Sequence, residues 1–302
     1  MRILVHDSVT PVFDPDLLVD YLRSEGLDAT TDRPPAACDG CVAFDHDDAL
    51  LDAPWVHAIT AGYDNYPAER YREAGVAFTN STGIHGTSVG ESVAGHCLTF
   101  ARRLHRYRDR QHDRRWERDP YDAAFTLDGE RACVVGLGTL GRGVAARLDA
   151  LGMTIVGVRQ TPAGVVGVEE VFTPDALHEA VTDARFVVLT VPLTEATTGL
   201  VDAEVLAAMR EDAYLVNVAR GEVVDQDALV AALEEGTVAG AALDALDPEP
   251  LPEDSPLWGF PEVLVTPHCA AMTNDYHEAV GDLVVANARR LDREESPVNR
   301  VV

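Results

Sequence analysis

Arg131-Ala-Cys-Val-Val-Gly136-Leu-Gly138-Thr139-Leu140-Gly141 is the stretch that decides how this chain folds. Ala132–Val135 is an apolar run short enough to be a buried strand, and Leu140–Leu151 carries the spacing of a helix. Three glycines at GxGxxG spacing join them. Glycine clusters mark many turns, so the spacing alone says little. Between a strand and a helix it has a mechanism. The first Gly permits a tight turn, the second lets the backbone approach a pyrophosphate, and the third lets helix pack on strand. The phosphates then meet the free N–H groups and the positive dipole end of the helix. Gly136, Gly138, Thr139, Leu140 and Gly141 are therefore the first candidate cofactor-binding residues.

Outward from this turn the pattern repeats. Thr154–Val158, Phe186–Val191, Tyr214–Val218, Val238–Leu243 and Val263–Val265 read as strands, with helices opening at Thr173-Pro174 and after Asp202 and Asp225. Towards the N-terminus, Ile3–Val5, Cys41–Phe44, Val56–Ile59 and Val76–Thr79 form a second strand series, with a helix over Leu17–Leu22. Alternating strands and helices imply parallel α/β sheets, and 302 residues favour two domains. One long helical stretch is expected from about Thr87 to Arg115. We expect residues 1–98 with 273–302 to form a substrate domain and 99–272 a dinucleotide-binding domain, with the helix over 274–291 returning to the first.

Composition removes several function classes. The chain carries 51 acids against 24 bases, a net charge of −27, and no Lys at all. A nucleic-acid partner would need a basic face, and an anionic membrane would repel this surface. No apolar run nears the roughly 20 residues of a membrane helix, and the N-terminus reads as a strand rather than a signal peptide. A soluble cytoplasmic protein is expected. Self-repulsion of this size destabilises a compact state unless salt screens it, which points to a host with high internal salt. Cys38-Asp-Gly-Cys41 has CxxC spacing without a second pair or nearby His, so we read a turn into a strand, and no metal site is expected.

The next βα corner bears on the cofactor. NAD enzymes usually place an acid some 20 residues past the fingerprint, to accept hydrogen bonds from the ribose. Here Arg159, Gln160 and Thr161 stand at that corner, with no acid before Glu169. A guanidinium suits a 2′-phosphate, so NADP is expected to be preferred, with NAD possible. Three later strand ends carry Asn217-Val-Ala-Arg220-Gly221, Asp244-Ala-Leu-Asp-Pro-Glu249-Pro250 and Thr266-Pro267-His268. An Arg, a carboxylate and a His beside a nicotinamide are what carbonyl reduction needs. The Arg grips a substrate carboxylate, the His gives a proton to the carbonyl oxygen, and the acid holds the His and favours its charged form.

Together with Leu189-Thr-Val191-Pro192-Leu-Thr, these segments resemble the D-isomer-specific 2-hydroxyacid dehydrogenase family over about Val56 to Met272. The resemblance implies a flavodoxin-like substrate domain and a doubly wound Rossmann cofactor domain, closing on substrate and usually dimeric. It implies Arg220 as binder of the carboxylate and carbonyl, His268 as acid/base and Glu249 as its partner. Glu249 is chosen over Asp247 because the family's Glu lies five residues past its Asp, as Glu249 does past Asp244. Asp244 would hold the nicotinamide amide, and Val191, Pro192 and Ala219 would line the cofactor. Thr60-Ala61-Gly62 resembles the loop whose N–H groups bind the substrate carboxylate, with Ala61 and Gly62 at those positions. In Thr87-Ser-Val-Gly90-Glu91, Gly90 replaces the commoner Ala of the hinge-side motif. The expected activity is reduction of a small 2-keto acid to the D-2-hydroxy acid by a homodimer.

The rival from another class is a dinucleotide-sensing corepressor on the same fold, since fold does not fix function. Such a protein would be expected to carry extra tails for partners. Among enzymes, a formate dehydrogenase would be expected to carry Gln in place of Glu249, and a phosphoglycerate dehydrogenase often a further regulatory domain. Cys269 beside His268 has nothing to activate it for acyl transfer.

Overall fold

Apolar runs bounded by turn residues become the strands of two parallel sheets in the computed structural model, which describes residues 1–302. The chain divides into two units, residues 1–84 with 272–302 and residues 85–271. In the first, β1 (Arg2–Val5), β2 (Asp28–Thr30), β3 (Gly40–Ala43), β4 (Trp55–Ala58) and β5 (Ala77–Asn80) lie in the order β2-β1-β3-β4-β5. Every pair is parallel, and the order is flavodoxin-like. α1 (Pro15–Ser24) starts where the Asp14 carboxylate accepts from the Asp16 N–H, with Pro in its first turn. α2 (Ala68–Ala74) ends on the left-handed Gly75.

The second unit opens with α3 (Gly86–Ala101) and α4 (Leu104–His112). Its sheet holds β6 (Arg131–Val135), β7 (Thr154–Val158), β8 (Glu170–Phe172), β9 (Phe186–Leu189), β10 (Tyr214–Asn217), β11 (Gly240–Leu243) and β12 (Val263–Val265). The order is β12-β11-β10-β9-β6-β7-β8, all parallel. α5 (Thr139–Ala150), α6 (Leu177–Thr182), α7 (Ala203–Ala208) and α8 (Gln226–Glu235) connect the strands. Successive side chains go to opposite faces: Cys133, Val135, Val187 and Leu189 into one core, and Ala132, Val134, Phe186 and Val188 into the other. Burial of such side chains contributes about 1.5–3 kcal/mol each, so the two-faced strands hold this sheet. Strand order reverses between β6 and β9, the switch point beyond whose carboxyl ends open α/β sheets bind ligands.

Several expectations need correction. The helical stretch expected from Thr87 to Arg115 is two helices, because Arg103 takes the left-handed conformation at φ 59°. Its guanidinium is held by Asp119 at 3.3 Å and Glu262 at 3.3 Å, a reach that breaks the helix. The units part at Ile84/His85 rather than after residue 98. The reason is α3, which packs on α5 with backbone in contact. A Cβ on Gly143 would stand 1.9 Å from the Gly86 carbonyl oxygen, and one on Gly90 2.6 Å from that of Gly143. Gly90 therefore stands where Ala would not fit without a shift. Thr173 precedes a short 3-10 turn over Pro174–Ala176 and gives it no side-chain cap, whereas Asp202 and Asp225 cap α7 and α8. Strands β2 and β8, three residues each, are too short and polar to be read from periodicity.

The last helix, α9 (Tyr276–Leu291), belongs to the first unit and packs on α1. Tyr21 donates to Asp282 at 2.5 Å, and Gly281 leaves room for the Tyr21 ring. No helix is long and apolar enough to cross a membrane. All five cysteines are free thiols, and no group of three or more His, Cys, Asp and Glu could hold a metal ion.

Beneath the first sheet, His57 is wholly buried, with Nδ1 2.8 Å from Thr79 Oγ1 and Nε2 3.0 Å from Ser81 Oγ. Burial lowers its pKa to about 3 from an ordinary 6.5. A folded-state pKa below the unfolded one means that the neutral ring contributes stability above pH 6.5, lost as pH falls from there towards 3. Each unit within that window costs about 1.4 kcal/mol. Denaturant titrations between pH 6.5 and 4.5 at fixed salt should therefore fall more steeply for the wild type than for His57→Gln. Equal slopes would exclude His57 as the source.

Candidate active site

The glycine turn is built as its spacing requires. Gly136, at φ +100°, ends β6, and a Cβ there would meet Val191 Cγ1 at 2.9 Å and the Thr190 carbonyl at 3.0 Å. Gly141 is buried where α5 crosses the turn, and its Cβ would lie 1.8 Å from the Gly136 oxygen. Gly138 differs: no atom lies within 4 Å of the position a Cβ would take. It precedes Thr139 and Leu140 in the first turn of α5, and no side chain caps that helix. The empty space at Gly138 and the uncapped N–H groups beside it fit a pyrophosphate. Thr190, to which sequence reading gave no role, clasps the turn across the switch point by donating to the Gly136 carbonyl at 2.6 Å. Val191 is half-buried and Pro192 exposed just beyond β9.

Arg159 follows the last residue of β7, its N–H held by the Phe172 carbonyl at 3.0 Å. It is half-exposed, Gln160 and Thr161 are exposed, and the Arg159 guanidinium makes no ion pair within the chain. The corner thus offers a cation and no carboxylate.

At the carboxyl ends of β10, β11 and β12 the structure joins His268 to Glu249. The imidazole Nδ1 lies 3.1 and 3.0 Å from the two carboxylate oxygens, and Glu249 Oε1 also accepts the Leu246 N–H at 3.0 Å. Both side chains are exposed, and Nε2 faces away from this pairing. His268 takes φ 50°, a region that few non-Gly residues enter. Arg220, three residues past the end of β10, takes extended backbone before a 3-10 turn and donates from Nη1 to the Ala219 carbonyl at 2.8 Å, with Ala219 itself buried. Asn217, quoted in the motif but given no role, positions this loop. Its Nδ2 donates to the Arg220 carbonyl at 2.8 Å and to that of Ala245 at 3.2 Å, while Oδ1 accepts the Ala219 N–H at 3.0 Å. An Asn closing an otherwise apolar strand was the available signal. Asp244 is buried, and its carboxylate accepts from Thr266, Cys269 and Ala270. Burial, then the charge of Asp244, pushes the Cys269 thiol pKa up, which argues against a thiolate nucleophile.

In the first unit, Ala61 and Gly62 follow β4. Asn80 Nδ2 donates to the Ala61 carbonyl at 2.7 Å, and Thr60 Oγ1 to that of Gly62 at 2.6 Å. Neither the Ala61 nor the Gly62 N–H finds a backbone acceptor in the chain, so both amides are open to a ligand.

Residues 94–270, more than half of the chain, match the NAD binding domain of the D-isomer specific 2-hydroxyacid dehydrogenases. The chain belongs to this family. The D-3-phosphoglycerate dehydrogenase of Methanocaldococcus jannaschii is 34% identical over 80% of this chain, a match that covers 46% of that protein. Glyoxylate/hydroxypyruvate reductase B of Yersinia pestis is 30% identical over 89% of this chain and 81% of its own length. Among solved structures, a D-isomer specific 2-hydroxyacid dehydrogenase from Xanthobacter autotrophicus Py2, in complex with NADPH and MES, has a TM-score of 0.86 at 30% identity, covering 99% of this chain and 98% of that one.

The chain is thus an NAD(P)-dependent dehydrogenase with a Rossmann cofactor domain and a second α/β domain. For a dehydrogenase of this family the site geometry has direct consequences. A braced imidazole can hold and release a proton at Nε2, and a guanidinium can fork onto a carboxylate.

Proposed function

We propose that this dehydrogenase reduces a small 2-keto acid to the D-2-hydroxy acid and prefers NADPH to NADH. The observation that carries the reading is His268, braced at Nδ1 by Glu249 with Nε2 directed away from the brace. When bound, the reduced nicotinamide supplies the hydride. His268 delivers a proton from Nε2 to the carbonyl oxygen, and Glu249 fixes the ring. Arg220 grips the substrate carboxylate as a fork, and the open amides of Ala61 and Gly62 are the carboxylate-binding candidates of the first unit. Gly136, Gly138, Thr139, Leu140 and Gly141 take the pyrophosphate, while Val191, Pro192 and Ala219 line the nicotinamide side. Turnover of glyoxylate, hydroxypyruvate and longer 2-keto acids with each cofactor tests the activity; no oxidation of NADPH with any of them overturns it.

Cofactor preference rests on Arg159, which pairs with no carboxylate, and on Gln160 and Thr161 beside it. A charge-assisted contact to the 2′-phosphate is worth about 1.5–3 kcal/mol. Arg159→Asp should therefore raise KM for NADPH roughly 10- to 100-fold and leave NADH unchanged or improved. A wild type with higher kcat/KM for NADH at the same salt concentration would show that Arg159 serves solvent.

The setting we infer is a salt-rich cytoplasm, and the assembly a homodimer. Net charge −27 with no Lys supports the first. For the second, eight of the 24 Arg fall within residues 102–118, and Trp116 and Tyr121 are each 99% exposed. The acidic surface of a second copy complements that segment. Desalting lengthens the Debye length from ~3 Å at 1 M to ~30 Å at 0.01 M. Sedimentation and circular dichroism along this gradient should find a folded dimer at molar salt and loss of ellipticity in dilute buffer. A fold indifferent to salt excludes haloadaptation, and a monomer at molar salt excludes the dimer.

A further inference from the structure

We infer that Asp244 is a positioning residue for His268: its carboxylate builds the turn that presents the imidazole. This role is additional to the cofactor role that family resemblance gives it, and it rests on His268 being the proton donor. Asp244 follows the last residue of β11 and is only 3% exposed. Its grip surrounds His268 in sequence. The main-chain carbonyl accepts the His268 N–H at 2.9 Å. Oδ1 accepts the Thr266 hydroxyl at 2.6 Å on one side and the Cys269 N–H at 2.9 Å on the other. Oδ2 accepts the Ala270 N–H at 2.9 Å. Four donors from residues 266–270 thus converge on one residue.

The need for such a grip is in the backbone. A non-Gly residue at φ 50° persists only where its surroundings over-determine it. Bonds on both flanks of His268 do so, and a buried carboxylate attracts N–H dipoles more strongly than a neutral acceptor. α3 closes the turn from its other side, where Ser92 Oγ donates to the Ala270 carbonyl at 2.9 Å. The backbone of His268 is therefore set by Asp244 and its ring by Glu249, two carboxylates with separate tasks. Three donors from its own chain sit on the buried Asp244 carboxylate.

The test uses Asp244→Asn, which keeps the shape but replaces one acceptor oxygen with a donor. In the cofactor-free protein, the His268 Cε1–H resonance, assigned by its absence in His268→Gln, should shift and broaden. The kcat at saturating NADPH, with Kd read by quenching of protein fluorescence, should fall about 10- to 100-fold, the scale of a small misplacement of a reacting group. Thr266→Val removes one donor only and should lower kcat severalfold, with Thr266→Ser restoring it; this pair decides the matter if the Asn variant does not fold. An unmoved His268 resonance overturns the inference. So does a tenfold weaker NADPH affinity with kcat intact at saturation, which would return Asp244 to the cofactor. Failure of the underlying reading looks different, since His268→Gln itself would then turn over normally.

Discussion

Replacing His268 with Gln is expected to lower kcat by about two to four orders of magnitude and to leave KM for the keto acid within a few fold. The asymmetry follows from where the proton matters. Substrate binding asks of His268 at most a hydrogen bond, which Gln can still donate. Reduction leaves charge on the carbonyl oxygen, and only a group able to release a proton relieves it. The geometry supports this division: Nδ1 lies 3.0 and 3.1 Å from the Glu249 carboxylate, so the ring is held from behind and Nε2 is the reactive end. Gln also has to accept the left-handed backbone that His268 takes. The melting temperature and NADPH affinity of the variant therefore need to be measured beside its rate. A His268→Gln enzyme with normal NADPH affinity and near-normal turnover would remove His268 from the chemistry.

Much of this was legible in the sequence because it rests on periodicity and on strand ends. Both parallel sheets were visible, since strands buried on two faces read as unbroken apolar runs such as Phe186–Leu189. The pairing of His268 with Glu249 was implied by the family resemblance. Beyond the short strands β2 and β8, what stayed hidden was contacts made by polar side chains far apart in sequence. Arg103 breaks a helix because Asp119 and Glu262 claim its guanidinium, and Glu262 lies far along the chain. Thr190 and Asn217 were quoted within motifs, but their work is done on the neighbouring strand's turn. Asp244 was assigned to a ligand, and nothing in the sequence signalled that its carboxylate also gathers Thr266, Cys269 and Ala270.

Two glycines of one motif should fail for different reasons when each is changed to Ala. Gly141→Ala places a methyl carbon 1.8 Å from the Gly136 carbonyl oxygen and 2.8 Å from Thr190 Oγ1. Neither neighbour can yield cheaply. The carbonyl belongs to the turn itself, and the hydroxyl is engaged with the Val135 and Gly136 carbonyls at 3.2 and 2.6 Å. The helix has to retreat instead, pulling Val144, Ala145 and Leu148 out of a fully buried seat. Overpacking of this kind costs about 1–3 kcal/mol, so both the melting temperature and the NADPH affinity should fall, the affinity by two orders of magnitude or more. Gly138→Ala meets no atom within 4 Å, and its φ of −73° suits any residue. That variant should melt with the wild type yet lose a comparable share of NADPH affinity, because its methyl occupies the space the pyrophosphate needs. The comparison separates a glycine required by the protein's own packing from one required by the ligand. A Gly138→Ala protein that binds NADPH as tightly as the wild type would mean that the phosphates do not approach the first turn of this helix.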